Sequence, residues 1–122
     1  MDFSALTGET LKAIHGATFG SDEITFETTS GRTFRLFHSQ DCCESVSVNE
    51  VIGNVEDLIG SPLTMAEETG SDDQGDIQPP EYSESFTWTF YKLATVKGYV
   101  TLRWLGESNG YYSESVDFCE VV

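Results

Sequence analysis

Hydrophobic and polar residues alternate along much of the chain, which is the pattern of β-strands that bury one face. From Glu23 to Thr28 the apolar side chains of Ile24 and Phe26 fall on one face, and polar side chains fall on the other. Residues 29–31 have turn chemistry, and the alternation returns from Thr33 to His38. The two segments therefore predict a β-hairpin.

The alternation is clearest in the C-terminal third of the chain. Residues 86–90 and 100–104 carry aromatic or aliphatic side chains at every second position, and residues 96–98 are predicted to form a turn between them. The dipeptide Asn109-Gly110 favours a type I′ turn, because both residues accept a positive φ, and it leads into a last strand at residues 111–121. The pattern predicts a three-stranded β-meander.

Helical signals are short. Residues 2–9 favour an opening turn or helix, and Asn54 has the chemistry of an N-cap for one helical turn through Ile59, which Gly60 then ends. We therefore expect a mainly β fold, that is, an α+β arrangement with one short helix. Its curved antiparallel sheet is expected to close into a small barrel or to fold into a two-layer sandwich.

The length of the chain suits a single domain over residues 1–122, because two domains would each bury too little apolar surface. Within it, the segment from Glu67 to Glu84 carries seven carboxylates and no Lys or Arg, together with two Gly and two Pro. This composition predicts a mobile acidic loop. A loop of this length is unusual without a function, such as closing over a site or contacting a partner.

The chain is strongly acidic, with 21 Asp and Glu against six Lys and Arg and a formal charge of −15. Such a charge repels nucleic-acid backbones and anionic lipids, so we expect neither direct nucleic-acid binding nor a membrane partner. It suits a cationic partner, although acidity alone also keeps proteins soluble. The N-terminus lacks a secretory signal and no segment has the length of a membrane span, so the expected location is the cytoplasm.

A chemically dense segment runs from His38 to Glu44 and includes the adjacent residues Cys42 and Cys43. Three cysteines, two of them adjacent, do not form a secreted disulfide framework, so reduced thiols are expected. A cysteine nucleophile is disfavoured because Asp41 and Glu44 would raise its pKa. A small hydrolase that uses His38 with Asp41 or Glu44 stays open as an alternative. The spacing favours no metal site, and we expect no cofactor.

The scarce cations of the predicted sheet lie among aromatic residues. Arg103 beside Trp104 has the chemistry to hold an anionic group while a ring stacks on an aromatic face, as a nucleotide-type ligand requires. The alternative is a cross-strand ion pair over ordinary aromatic packing. The candidate ligand-binding residues are Trp88, Arg103, Trp104, Asn109, Tyr111 and Tyr112, with His38, Gln40 and Asp41 at the rim.

The strings QDCCES, EDLIGSPLTMAEE and ESFTWTFYKLATVKGYVTLRWLGESNGYYSESV resemble a family of small proteins found in bacteriophages and prophages, over roughly residues 36–118. The resemblance implies a phage setting, in the cytoplasm of an infected bacterium, and implies no catalytic residue. Small phage proteins of this kind are often inhibitors of host defence.

Our first hypothesis is therefore a phage-encoded anti-defence protein that binds and sequesters a small nucleotide-derived immune signal without catalysis. Its pocket is expected at a subunit boundary of a homo-oligomer, because so small a domain has little room for a deep internal cavity. The alternative hypothesis is an acidic inhibitor that occludes a basic nucleic-acid-binding surface of a host defence protein.

Overall fold

The computed structural model describes residues 1–70, 85–109 and 112–121, and eight strands in this part of the chain form two antiparallel sheets. The strands are β1 (Leu11–His15), β2 (Glu23–Thr28), β3 (Thr33–Phe37), β4 (Ser45–Ile52), β5 (Met65–Thr69), β6 (Ser85–Thr95), β7 (Gly98–Ser108) and β8 (Asp117–Val121). The first sheet has the order β1-β2-β3-β8 and the second the order β4-β7-β6-β5. The fold resembles a β-sandwich, which confirms the expectation of a mainly β protein.

The hydrophobic core combines the inward faces of both sheets. Phe26 and Phe34 of the first sheet and Tyr91 of the second belong to one buried cluster. Phe3 joins these layers, because its ring centre lies 6.2 Å from that of Phe26 and 4.7 Å from that of Tyr91. Fully burying such side chains contributes roughly 1.5–3 kcal/mol each, so these aromatic contacts help to hold the two sheets together.

Two 3₁₀ helices of four residues flank the sheets, η1 (Phe3–Leu6) and η2 (Val55–Leu58). Each begins at a side-chain cap. The Asp2 carboxylate accepts the Ser4 N–H at 2.9 Å, and the Asn54 side chain accepts the Glu56 N–H at 3.0 Å. The cap predicted at Asn54 is confirmed. In the part of the chain that the structure describes, no helix is both long and apolar enough to cross a membrane.

The predicted C-terminal meander is corrected by the position of β8. This strand pairs with β3 in the first sheet, where Phe118 lies opposite Leu36 and stacks on Phe34 with ring centres 5.6 Å apart. The consecutive strands that do form a meander are β5, β6 and β7. Apolar packing between Phe118 and the core therefore outweighs the local preference for pairing with the neighbouring strand.

The segment predicted to be an acidic loop from residue 67 to 84 begins as a strand. Glu67 and Glu68 belong to β5 and pair with Lys92 and Tyr91 of β6. Residues 71–84 lie outside the described residues, as do Gly110 of the predicted turn and Tyr111.

Candidate functional site

The structure separates the three residues at the centre of the predicted ligand site. Trp88 and Arg103 lie on the outer face of the second sheet, with the guanidinium carbon 5.2 Å from the centre of the indole ring. Trp104 is fully buried in the core cluster between the sheets. Successive residues of a strand point to opposite faces, so Trp104 does not share a binding surface with Arg103.

Arg103 is engaged by its own chain. Its Nη2 atom lies 2.7 Å from a Glu50 carboxylate oxygen across the β4–β7 pair, and the Asn49 side-chain oxygen accepts from Nε at 3.0 Å and from Nη2 at 2.7 Å. Trp88 beneath it is only 3% exposed. The arrangement is the cross-strand ion pair over aromatic packing that the sequence left open. It leaves little of the guanidinium to bind a ligand.

Of the other residues predicted for this site, Asn109 is exposed just beyond β7 and Tyr112 is half-buried, while Tyr111 lies outside the described residues. His38 and Gln40, predicted at the rim of the site, both form hydrogen bonds with the Glu44 carboxylate. Glu44 therefore holds these two side chains in place.

The bend that follows β3 is built around Glu44, whose side chain is fully buried. Its carboxylate accepts hydrogen bonds from the Asp41 N–H at 3.0 Å, the Cys42 N–H at 2.9 Å and the Gln40 amide at 3.1 Å. The His38 ring lies 2.7 Å away through Nε2. Buried carboxylates are tolerated when every oxygen is satisfied in this way, so Glu44 holds the bend together.

His38 links this bend to the segment before β8. Its side chain is 4% exposed, and its Nδ1 atom lies 2.6 Å from the Ser115 carbonyl oxygen. Both ring nitrogens thus face acceptors, which favours the doubly protonated imidazolium. Burial is the largest influence on the pKa of His38 and lowers it, but the hydrogen bonds and charges, chiefly from Glu44 and Ser115, raise the pKa above its usual value overall.

The same contacts act on Glu44. The hydrogen bond from His38 is the main reason that the pKa of Glu44 is lowered to about 2, with burial opposing the shift and the Cys42 N–H assisting it. Neither ring nitrogen of His38 is left to take a proton from a substrate in this arrangement. The geometry therefore supports a structural role for His38, and the hydrolase alternative stays a prediction.

The expectation of reduced thiols is wrong for the adjacent cysteines, because a disulfide bond joins Cys42 and Cys43. Both residues are exposed in a bend of the chain, so they do not point to opposite sides of an extended strand. Cys119 is a free, half-buried cysteine on β8.

Glu114 is a second buried carboxylate, and it anchors the connection between β7 and β8. It accepts a hydrogen bond from Thr87 at 2.7 Å and another from the Ser108 hydroxyl. Burial is the largest influence on the pKa of Glu114 and raises it, yet hydrogen bonds from hydroxyl groups, Ser108 first, lower the pKa overall. Gly106 makes room for this contact, since a Cβ atom there would lie 2.5 Å from the Glu114 carbonyl oxygen.

An acidic groove lies where η1 packs against β5. It has a volume of about 530 Å³ and is lined by Asp2, Ser4, Ala66, Glu67 and Glu68. The Glu68 carboxylate accepts the Tyr91 hydroxyl at 3.1 Å, which fixes its side chain, and burial beside this carboxylate raises the pKa of Tyr91. In the described part of the chain, no three or more carboxylate, His or Cys side chains are grouped closely enough to hold a metal ion.

A second cleft, the lysine cleft, lies between the two sheets and has a volume of about 560 Å³. It is formed by β1, η2 and the turn between β6 and β7. Its lining residues are Lys12, Ala13, Ile14, Val55, Glu56, Ile59 and Lys97. Two cations and one carboxylate therefore face an otherwise apolar cleft.

The sequence did not mark Asp2, Lys12 or Lys97 as site residues. The one feature that could have drawn attention to the two lysines is the scarcity of lysine, since the chain has three. Lys12 and Lys97 are 85 positions apart in the chain, and the packing of the two sheets brings both to the same cleft. Composition could therefore mark these residues as notable, but it could not place them in one cleft.

A family model described as a domain of unknown function (DUF7448) matches residues 4–118, so the chain belongs to that family. Comparison with curated proteins gave no match, and comparison with solved structures gave none either.

Proposed function

We propose that this member of the family acts by binding, without catalysis, and that its acidic groove docks on a basic surface of a host defence protein that otherwise holds nucleic acid. The observation that carries the proposal is the lining of the groove. Three of its five lining residues are acidic, namely Asp2, Glu67 and Glu68, and no Lys or Arg is among its described lining residues. Carboxylates arranged on a groove complement Lys and Arg side chains of a partner and speed its association.

The internal pairing of the arginines gives further support. Arg32 lies 2.8 Å from carboxylate oxygens of both Glu9 and Glu120, and Arg103 binds Glu50. Arg35 lies 3.9 Å from Glu23. The carboxylate partners of these guanidinium groups lie outside the groove lining, so none of these ion pairs neutralises a groove carboxylate.

The phage setting belongs to the proposal as well, since it comes from the sequence resemblance alone. In that setting the protein would act in the cytoplasm of the infected bacterium and protect the phage by occlusion. Sequestration of a nucleotide signal at Trp88 and Arg103 has less support, because Glu50 and Asn49 occupy the guanidinium.

The test is affinity capture from a lysate of the bacterial host with three versions of the protein. They are the natural chain, a groove variant (Asp2→Asn with Glu67→Gln) and a control of equal net charge (Asp22→Asn with Asp41→Asn). The control residues are exposed and lie outside the groove. Asparagine also caps helices, so the groove variant keeps η1 intact.

We expect the natural chain and the control to capture a protein that the groove variant loses. Duplex DNA should displace that protein, and so should rising ionic strength from about 0.1 M to about 1 M, because the screening length falls from about 10 Å to about 3 Å. Capture of the same proteins by all three versions, or a capture that DNA leaves intact, would contradict the proposal. The homo-oligomer stays a prediction, which light scattering of the natural chain tests.

A further inference from the structure

The lysine cleft differs from the rest of the molecule in how its cations are paired. All three arginines form ion pairs with carboxylates of the chain. Within the described residues, none of the three lysines does so, and two of them, Lys12 and Lys97, line this one cleft. The chain has a formal charge of −15, so two cations in one cleft without a carboxylate partner among the described residues stand out against an acidic surface. Their meeting in one cleft makes it locally suited to an anion.

The walls of the cleft are tied to one another before any ligand arrives. Lys97 donates from Nζ to the Ile59 carbonyl oxygen at 2.7 Å, so the β6–β7 turn is held against the end of η2. The Gly60 N–H donates to the Leu11 carbonyl oxygen at 2.9 Å, which holds the same end against β1. A preformed site loses less free energy to ordering when it binds.

The remaining lining gives the cleft an apolar side. Ile14, Val55 and Ile59 are partly buried and pack against the core. The volume of about 560 Å³ lies within the range of small-molecule sites, which combine an apolar lining with a few polar groups. The cleft thus offers an apolar contact beside ammonium groups.

We infer that the lysine cleft binds a small organic phosphate whose other end is apolar or aromatic. Lysine holds phosphate as a point charge with three donors, and among the described residues the Lys97 ammonium group has one hydrogen-bond partner, the Ile59 carbonyl oxygen. Two ammonium groups suit an anion with several charged oxygens. Glu56 opposes binding, so the net charge of the lining is one positive unit. This inference stands on different residues from the acidic groove and does not require it.

The test uses the full natural chain labelled with ¹⁵N and three probes: phenyl phosphate, inorganic phosphate and phenol. Phenyl phosphate should shift the amide resonances of residues 12–14, 55–59 and 97 in a saturable way. Inorganic phosphate and phenol each supply only half of the proposed contacts, so each should bind at least about tenfold more weakly. Inorganic phosphate that matches phenyl phosphate would overturn the apolar part of the inference.

Variants separate the cleft from general electrostatics. Lys12→Gln and Lys97→Gln should each weaken phenyl phosphate binding by about tenfold, which is the size expected for one charged hydrogen bond. Lys92→Gln is the matched control, since Lys92 also lacks an ion pair with the described residues but lies outside the cleft. Glu56→Gln should strengthen binding several-fold, because it removes the one carboxylate among the described lining residues, which repels the phosphate group. Lys12 is exposed on β1, so its variant should keep the fold even if Lys97→Gln loosens η2.

Three results would overturn the inference. The first is the absence of saturable shifts at the cleft with phenyl phosphate. The second is an equal loss of affinity in Lys92→Gln and Lys12→Gln, which would indicate a diffuse charge effect. The third is weaker binding in Glu56→Gln, which would mean that the carboxylate takes part in holding the probe.

Discussion

The acidic groove and the lysine cleft have the same construction and opposite charge. Each lies where a four-residue 3₁₀ helix packs near a strand, and their volumes are about 530 and 560 Å³. The groove has three carboxylates and no cation among its described lining residues, whereas the cleft has two lysines and one carboxylate. The sign of each site is therefore set by a few local residues.

The difference shows how far net charge can guide an argument about partners. A formal charge of −15 describes the average surface, and screening limits exposed charges to about 10 Å at 0.1 M salt. A small anion in the lysine cleft would meet Lys12 and Lys97 before it met most of the carboxylates. Net charge disfavours binding to extended polyanions, but it does not disfavour a small one at such a site.

The largest expected effect lies in neither site and concerns the stability of the bend around Glu44. His38→Ala removes the partner of buried Glu44, and breaking a buried ion pair costs about 3 kcal/mol of unfolding free energy. Urea unfolding measures the change. His15→Ala is the control, since His15 is exposed and its pair with Glu27 should contribute less than about 1 kcal/mol. Equal losses in the two variants would contradict a structural role for His38.

The same pair makes a prediction about pH. The pKa of His38 is raised in the folded chain, so its contribution is full below the unfolded pKa and is lost as pH rises through the folded value. The pKa of Glu44 is lowered to about 2, so its contribution is full above the unfolded value and is lost as pH falls towards 2. The pair should therefore stabilise the fold most between the unfolded-state pKa of Glu44 and the unfolded-state pKa of His38. His38→Ala should flatten the loss of stability that the natural chain shows as pH rises above that range.

A smaller effect should be confined to the lysine cleft. A Cβ atom on Gly98 would lie 2.7 Å from an Asp57 carboxylate oxygen and 3.0 Å from the Asp57 Cβ atom. Gly98→Ala should therefore push η2 from the β6–β7 turn, at about 2 kcal/mol of unfolding free energy, and weaken phenyl phosphate binding. Gly70→Ala is the control, because a Cβ atom there meets nothing within 4 Å. Unchanged phosphate binding in Gly98→Ala would show that η2 does not shape the cleft.

The acidic groove has its own direct probe in decalysine. Asp2→Asn with Glu67→Gln should weaken decalysine binding by about tenfold, or about 1.4 kcal/mol, as measured by fluorescence anisotropy. The equal-charge control, Asp22→Asn with Asp41→Asn, should change it much less. The groove variant should leave phenyl phosphate binding unchanged. A similar loss of affinity in both variants would indicate that decalysine responds to the net charge of the protein and not to the groove.

The smallest expected effect concerns how the groove is held. Tyr91→Phe removes the hydroxyl that donates to Glu68 at 3.1 Å, which should lower the unfolding free energy by about 1 kcal/mol. Tyr99→Phe is the matched control, since Tyr99 is 51% exposed. Thermal unfolding compares the two variants. No difference between them would mean that the contact with Glu68 contributes nothing to stability.

Local patterns predicted the local elements well. The alternation in residues 23–28 gave β2 with the bounds that the structure has, and the Asn54 cap located η2. The pairing of β8 with β3 could not be read in this way, because it depends on Phe118 meeting the rings of Phe34 and Phe3 across the core. Such contacts join residues far apart in the chain.

One residue of register decides whether Trp88 and Trp104 share a face. The sequence suggested a turn of three residues, 96–98, whereas Thr95 pairs with Gly98 and leaves Val96 and Lys97 as the turn. A shift of one residue moves every side chain of a strand to the other face. Trp104 therefore faces the core, while Trp88 faces outward. The hairpin was predictable, but the residues that share a face depend on the length of its turn.

The most direct test that the acidic groove and the lysine cleft are separate sites is one set of amide spectra of the natural chain with each probe in turn. We predict that decalysine shifts residues 2–4 and 66–68, that phenyl phosphate shifts residues 12–14, 55–59 and 97, and that each probe still binds when the other is present. Shifts from both probes at the same residues, or mutual displacement, would contradict two separate sites of opposite charge.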